Sequence, residues 1–141
     1  IHAKDKDLFA LGGGYKIDVI RSNSLDIFYN ILQMRWFYNS LNKVSKSESL
    51  TLALLGGNVS IKKNLATKHS LKFDENIKYG SSELDYFLRA NTLGLKMRAC
   101  DIDVLHRTSE SMLSLSRKVF LQGRSKSYIL RTKNIIEAPR I

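Results

Sequence analysis

The sequence predicts an α/β fold in which a short mixed β-sheet is flanked by helices. Three observations carry this expectation: segments of helical period alternate with short extended runs, the changes of period fall at glycine-rich or polar breaks, and no internal repeat or low-complexity stretch interrupts the alternation. At 141 residues the chain is one domain or part of one, large enough to bury a core. Its hydrophobic content of 43%, with six Phe, six Tyr and one Trp, excludes the composition of a disordered chain. Residues 1–132 are expected to form the domain, and 133–141, with the only proline at Pro139, a loose tail.

The elements follow in order. Asp7 to Leu11 is a short apolar run closed by Gly12-Gly13-Gly14, and Tyr15 to Ile20 alternates enough for a second strand. Ser22, Asn23 and Ser24 offer helix caps, after which Leu25, Phe28, Leu32, Trp36 and Phe37 recur at helical spacing up to about Val44. That spacing predicts a long amphipathic helix with its aromatics in the core. Leu50 to Leu55 is apolar, Gly56-Gly57-Asn58 a turn, Val59 to Lys62 extended, Lys63 to His69 a short helix, and Phe73-Asp74-Glu75-Asn76 a loop. From about 82 to 93 Leu84, Phe87, Leu88 and Asn91 fall on one helical face, and Gly94 stands where a C-terminal cap glycine belongs. Leu95 to Cys100 and Val104 to Arg107 read as strands, and Ser111 to Leu130 as a basic helix.

Charge and cysteine narrow the function. The formal net charge is +10, and its excess is carboxyl-terminal: residues 107–141 hold eight Lys/Arg against Glu110 and Glu137, while residues 1–106 hold fifteen against eleven acids. Such a segment favours anionic partners, whether nucleotide phosphates, nucleic acid or an anionic membrane, or is a solvated face. Cys100 is the one cysteine, so neither an internal disulfide nor a CxxC metal or redox site exists, and a reducing compartment is the default. No apolar run approaches the ~20 residues that span a bilayer, and no secretion signal opens the chain. The protein is expected to be cytoplasmic, or peripheral at the inner face of a membrane.

One ordered series stands out: Gly56-Gly57-Asn58-Val59-Ser60-Ile61-Lys62-Lys63, then Phe73-Asp74-Glu75, then Gly80-Ser81-Ser82-Glu83-Leu84-Asp85-Tyr86-Phe87-Leu88-Arg89, then Gly94, then Val104-Leu105-His106. Arg117, Gly123 and Arg124 follow. In order and spacing the series resembles the carboxyl-terminal, acceptor-side half of family 2 glycosyltransferases, over roughly residues 8 to 130. The resemblance implies a partial GT-A fold lacking its amino-terminal nucleotide-binding half, so that the chain is expected to begin where the donor half ends and to be inactive alone. It implies inverting, hexosyltransferase-type transfer of a sugar from a nucleotide donor to a hydroxyl acceptor, saccharide or lipid-linked, in bacterial cell-surface polysaccharide synthesis.

The same resemblance gives the residues their roles. Glu83 falls where the second acid of the family's ED pair removes the acceptor's proton, with Ser82 in place of the first acid; an acid in the first turn of a helix is also favoured by the helix dipole, and Ser82 with Asp85 has the spacing of a capping box. Asp85 and Arg89, four apart, are expected to pair on the helix surface and support the site. His106 corresponds to a histidine facing metal and diphosphate, a ligand for the Mg or Mn ion the complete enzyme would hold, or is a satisfied polar residue of a strand. Gly56, Gly57 and Asn58 would let backbone approach sugar or acceptor, or simply make a turn. Arg117, Lys118, Arg124 and Lys126 would suit a leaving diphosphate or an anionic lipid-phosphate acceptor. The D-x-D matches at Asp5-Lys6-Asp7 and Asp101-Ile102-Asp103 lack the preceding buried strand or the place of the family's metal motif and are read as chance. An open core would make dimerisation plausible. The alternatives are a basic binding module for nucleic acid or an anionic membrane, for which no zinc spacing or RNP-like motif speaks, and a non-catalytic glycosyltransferase-like domain, which Ser82 favours.

Overall fold

The structure, a computed structural model, describes residues 4–44, 54–78, 80–106 and 111–132, and at positions 33 and 36–44 the backbone alone. The expected tail at 133–141, Arg107 and most of the Leu50 to Leu55 run lie outside the described residues.

A turn opens the described chain: the Asp5 carboxylate accepts the N–H groups of Asp7 and Leu8, each at 3.2 Å. From it runs β1 (Leu8–Gly12), with Leu8, Phe9 and Ala10 all buried, as expected of a strand covered on both faces. It is the central strand. β3 (Val59–Ile61) pairs with it antiparallel and β4 (Lys96–Ala99) parallel. After Gly13-Gly14 the chain resumes as β2 (Tyr15–Ile17), shorter than the expected 15–20, because Val19 N–H turns back onto the Ile17 carbonyl at 3.0 Å. β2 lies parallel to β5 (Val104–His106). The same two runs of chain therefore lie side by side twice, joined by the Cys100 N–H on Gly12 O (2.8 Å) and the Val104 N–H on Gly14 O (3.1 Å).

Helices flank these strands, so the mixed α/β class holds, with a small mixed sheet. α1 (Ser24–Val44) starts at Asn23, whose side-chain oxygen accepts the Asp26 N–H at 2.9 Å. Its expected core face is corrected by the structure. Phe28 is 61% and Leu32 50% exposed, while Asp26, Asn30 and Met34, spaced four apart, are buried. The cause is what the helix covers: Met34 Sδ lies 3.2 Å from the Tyr15 backbone N–H and Asn30 reaches His106, so α1 turns a polar stripe toward β2 and β5. The side chains of Trp36 and Phe37 lie outside the described set.

α2 (Lys63–Lys68) and α3 (Ser82–Thr92) end alike. In α3, Gly94 at φ +72° lets its own N–H reach Asn91 O (2.9 Å) and the Leu95 N–H reach Ala90 O (3.0 Å), the paired closure of a Schellman cap. Ser70 at φ +52° does the same for α2, sending its N–H to Thr67 O and that of Leu71 to Ala66 O. α3 buries Tyr86, Phe87 and Ala90 against Phe9, Leu54, Met97 and Ala99 to make the core. The inward face is centred on Tyr86, Phe87 and Ala90; Leu84, Leu88 and Asn91 are only partly buried on its flank. α4 (Met112–Thr132) lies against α1, where the Tyr29 hydroxyl donates to Gln122 Oε1 (2.9 Å) and Lys118 Nζ stands 5.4 Å from the Tyr29 ring centre.

Candidate functional site

Glu83 sits one residue inside the N-terminal end of α3, half-buried. The cap is Ser81, not Ser82: Ser81 is in the left-handed region at φ +65° and makes no side-chain cap bond, so the Ser82–Asp85 capping box is not formed. Ser82 Oγ instead lies 3.4 Å from Glu83 Oε2. The expected exposed pair is also corrected. Asp85 is fully buried, and Arg89 Nε and Nη2 hold its Oδ2 at 2.8 and 2.7 Å while Nη2 also donates to Lys72 O at 2.7 Å. Arg89 thus ties α3 to the segment after α2. Charge-assisted bonds to a buried carboxylate are of the strong kind.

The Gly56-Gly57-Asn58 turn closes through the Asn58 N–H on Leu55 O (3.1 Å). Asn58 gives its side-chain amide to Gly14 O (2.8 Å) and Ile102 O (2.9 Å), and its own carbonyl accepts the Gly13 N–H at 2.9 Å. The turn is thereby stitched to the β1–β2 and β4–β5 connections at once. Gly57 requires its hydrogen: a Cβ there would stand 2.2 Å from the Tyr15 hydroxyl. A Cβ on Gly56 would lie 3.4 Å from Glu83 Cβ and Cγ, ordinary contact. The two glycines therefore fit between Glu83 and Tyr15.

Tyr15 is the residue that sequence reasoning missed. Its ring stacks on His106, centroids 4.6 Å apart and planes at 20°. The pairing explains the contact: Tyr15 lies opposite Val104 and Ile17 opposite His106 in the parallel ladder, so Tyr15 and His106 are diagonal neighbours on one face. Burial pushes the Tyr15 hydroxyl above its ordinary pKa; the Gly57 backbone bond opposes this and the negative charge of Glu83 adds to it. Tyr15 accordingly feels Glu83 on one side and touches His106 on the other.

Behind His106 stands Asn30. Its Nδ2 donates to Asp26 O at 2.7 Å, so the oxygen is what faces His106 Nδ1 at 3.2 Å. An acceptor there pairs with an Nδ1–H; in a neutral imidazole the lone pair is then on Nε2. Such a bond behind an imidazole fixes its ring and tautomer, as second partners of ligand or base histidines do. Among the described residues no group of three or more His, Cys, Asp or Glu could hold a metal ion. A metal at Nε2 would need its other ligands from donor, water or elsewhere.

Arg117, Arg124 and Lys126 are exposed on α4, and Lys118 is turned toward Tyr29. Asp5 belongs to the turn before β1, its carbonyl taking the Lys62 ammonium, and Ile102 of the second D-x-D match takes the Asn58 amide. A concavity of about 390 Å³ lies at the other end of α3, lined by His69, Leu71, Leu88, Arg89 and Leu93 among others. None of Glu83, Tyr15 or His106 lines it, and its walls offer no grouping of acid and base. Glu83, Gly56, Gly57, Tyr15 and His106 form the chemically coherent cluster. No protein-family model, curated protein or solved structure matches the chain.

Proposed function

We propose that this domain is the acceptor-side part of an inverting glycosyltransferase. Glu83 takes the proton of an acceptor hydroxyl as that oxygen bonds to the anomeric carbon of a nucleotide-bound sugar. The bond from that carbon to the diphosphate breaks, and the nucleotide leaves with the electron pair. What supports this reading is one observation: three segments distant in sequence meet at the N-terminal end of α3, where Glu83 stands against Gly56 and beside Tyr15, whose ring stacks on His106. The acceptor would approach Glu83 beside the exposed Gly56, whose missing side chain leaves the carboxylate stem uncovered on that side. The Mg or Mn ion expected of the family would neutralise charge at the diphosphate, and Nε2 of His106 is the ligand atom this chain offers it.

The test is transfer of a labelled sugar from nucleotide donors to hydroxyl acceptors by the protein that contains this domain. Glu83→Gln should lower the rate by ~10²–10⁴, the range for removal of a positioned base. An unchanged rate would remove Glu83 from the mechanism, and absence of any transfer would leave the non-catalytic reading.

A further inference from the structure

α4 carries no acid and presents a face that its packing does not explain. Leu115, Ser125 and Ile129 are buried and define the inner side. Leu113, Arg117, Phe120, Arg124 and Arg131 are all exposed, Leu113 at 82% and Phe120 at 71%. With ~3.6 residues per turn these five lie within about 60° of one another, on the side away from Leu115 and Ile129. Met112, Val119 and Leu130 are exposed on a separate side of α4, about 80° or more round the helix from this row. From Leu113 to Arg131 the row is about 27 Å long at ~1.5 Å per residue.

We propose that this outer row is a docking surface for an anionic lipid bilayer, with Phe120 and Leu113 entering the headgroup boundary and Arg117, Arg124 and Arg131 reaching lipid phosphates beside them. Two features choose this occupant. Three arginines and no acid on α4 match a negatively charged surface. The largely exposed Leu113 and Phe120 in the same row match a surface with an apolar layer just below the charge, which a nucleic-acid backbone lacks. The helix lies on such a surface; among the described residues no helix is long and apolar enough to cross a membrane. Arginine has the reach to bind phosphate while its stem lies along apolar surface. The proposal does not depend on sugar transfer, and either can fail alone.

The experiment is co-sedimentation of the 141-residue chain with vesicles of phosphatidylcholine, alone and mixed with phosphatidylglycerol. The chain should bind the mixed vesicles, release in high salt, and bind pure phosphatidylcholine far less. Arg117→Gln with Arg124→Gln should weaken binding about thirtyfold, from the contribution of each surface cation, and Phe120→Ser about tenfold or more. All are exposed positions, and circular dichroism checks the fold. In a Trp36→Phe background, Phe120→Trp emission should shift to the blue on mixed vesicles and be quenched by brominated lipid. Binding indifferent to Phe120, or equal on neutral vesicles, overturns the proposal. So does absence of vesicle binding, whether Phe120 then proves to hold a second copy of the chain together or the arginines to bind nucleic acid.

Discussion

α1 and α3 both pack on the strands, yet α3 turns mainly apolar residues inward and the described part of α1 mainly polar ones. α3 buries Tyr86, Phe87 and Ala90 in the core, with Asp85 neutralised by Arg89. α1 buries Asp26, Asn30 and Met34 and leaves Phe28, Ile31 and Leu32 largely in solvent. Burial of polar groups is unfavourable unless each is bonded, so a helix that inverts the usual pattern is held by something other than hydrophobic area. On α1 that something is the back of the Tyr15–His106 pair. α3 is a core helix that carries a site residue at its tip; α1 is a helix whose inner face serves the site.

The largest effect expected from this contrast is on stability. Phe87 is 1% exposed at the centre of the core, and Phe87→Ala should cost about 3–5 kcal/mol in urea unfolding. Phe28→Ala, although the sequence pattern marks Phe28 as core, should change stability by less than about 0.5 kcal/mol, as exposed substitutions do. Equal losses would mean that the outer face of α1 is covered, and the inversion would disappear.

The same contrast explains what could be read from sequence. α3 was legible because its period, its first-turn acids and Gly94 all agree, and a C′ position with positive φ selects glycine. Ser70 and Ser81 adopt the same backbone region without being marked, since serine has no special preference for it. Gly56, Gly57, Glu83 and His106 were visible as an ordered series; in the structure Gly56 adjoins Glu83 and Gly57 adjoins Tyr15, and His106 joins them through its stack on Tyr15. Tyr15 and Asn30 were not visible. Tyr15 meets His106 only through a three-residue parallel ladder, which no local pattern encodes. Asn30 looks like a solvated helix position until the helix is placed on β2. For α1, periodicity gave the helix but misplaced Phe28 and Leu32, which match an apolar stripe as well as buried residues would.

Asn30 offers a sharper and smaller effect. Asn30→Leu keeps side-chain volume and removes the acceptor that faces His106 Nδ1. A cost of about 1–3 kcal/mol is expected from the partner left unsatisfied in a buried place. The diagnostic readout is the imidazole: long-range ¹H–¹⁵N spectra of neutral His106 should lose their bias toward the Nδ1–H tautomer. Stability loss with an unchanged tautomer would make Asn30 an ordinary packing residue and α1 an ordinary helix.

The last effect is a change of slope at alkaline pH and concerns the residue between the two helices' contributions. Burial, helped by the charge of Glu83, raises the Tyr15 hydroxyl above its ordinary value. The folded state therefore holds this proton more tightly than the unfolded chain, whose tyrosines titrate near ~10. Stability from Tyr15 is fully present below about pH 10 and is lost as pH rises toward the folded value, because the unfolded state ionises first. Tyr15→Phe keeps the ring on His106 and removes the titration. At neutral pH it should cost no more than about 0.5–1.5 kcal/mol, the loss of one hydrogen bond at Gly57. Above about pH 10 its urea midpoint should fall less steeply than that of the parent. A residual slope should remain from Tyr86, which burial also raises against the opposing charge of Arg89. Parallel midpoint curves for parent and Tyr15→Phe would place the Tyr15 hydroxyl in water, and with it would go the link between Glu83 and His106.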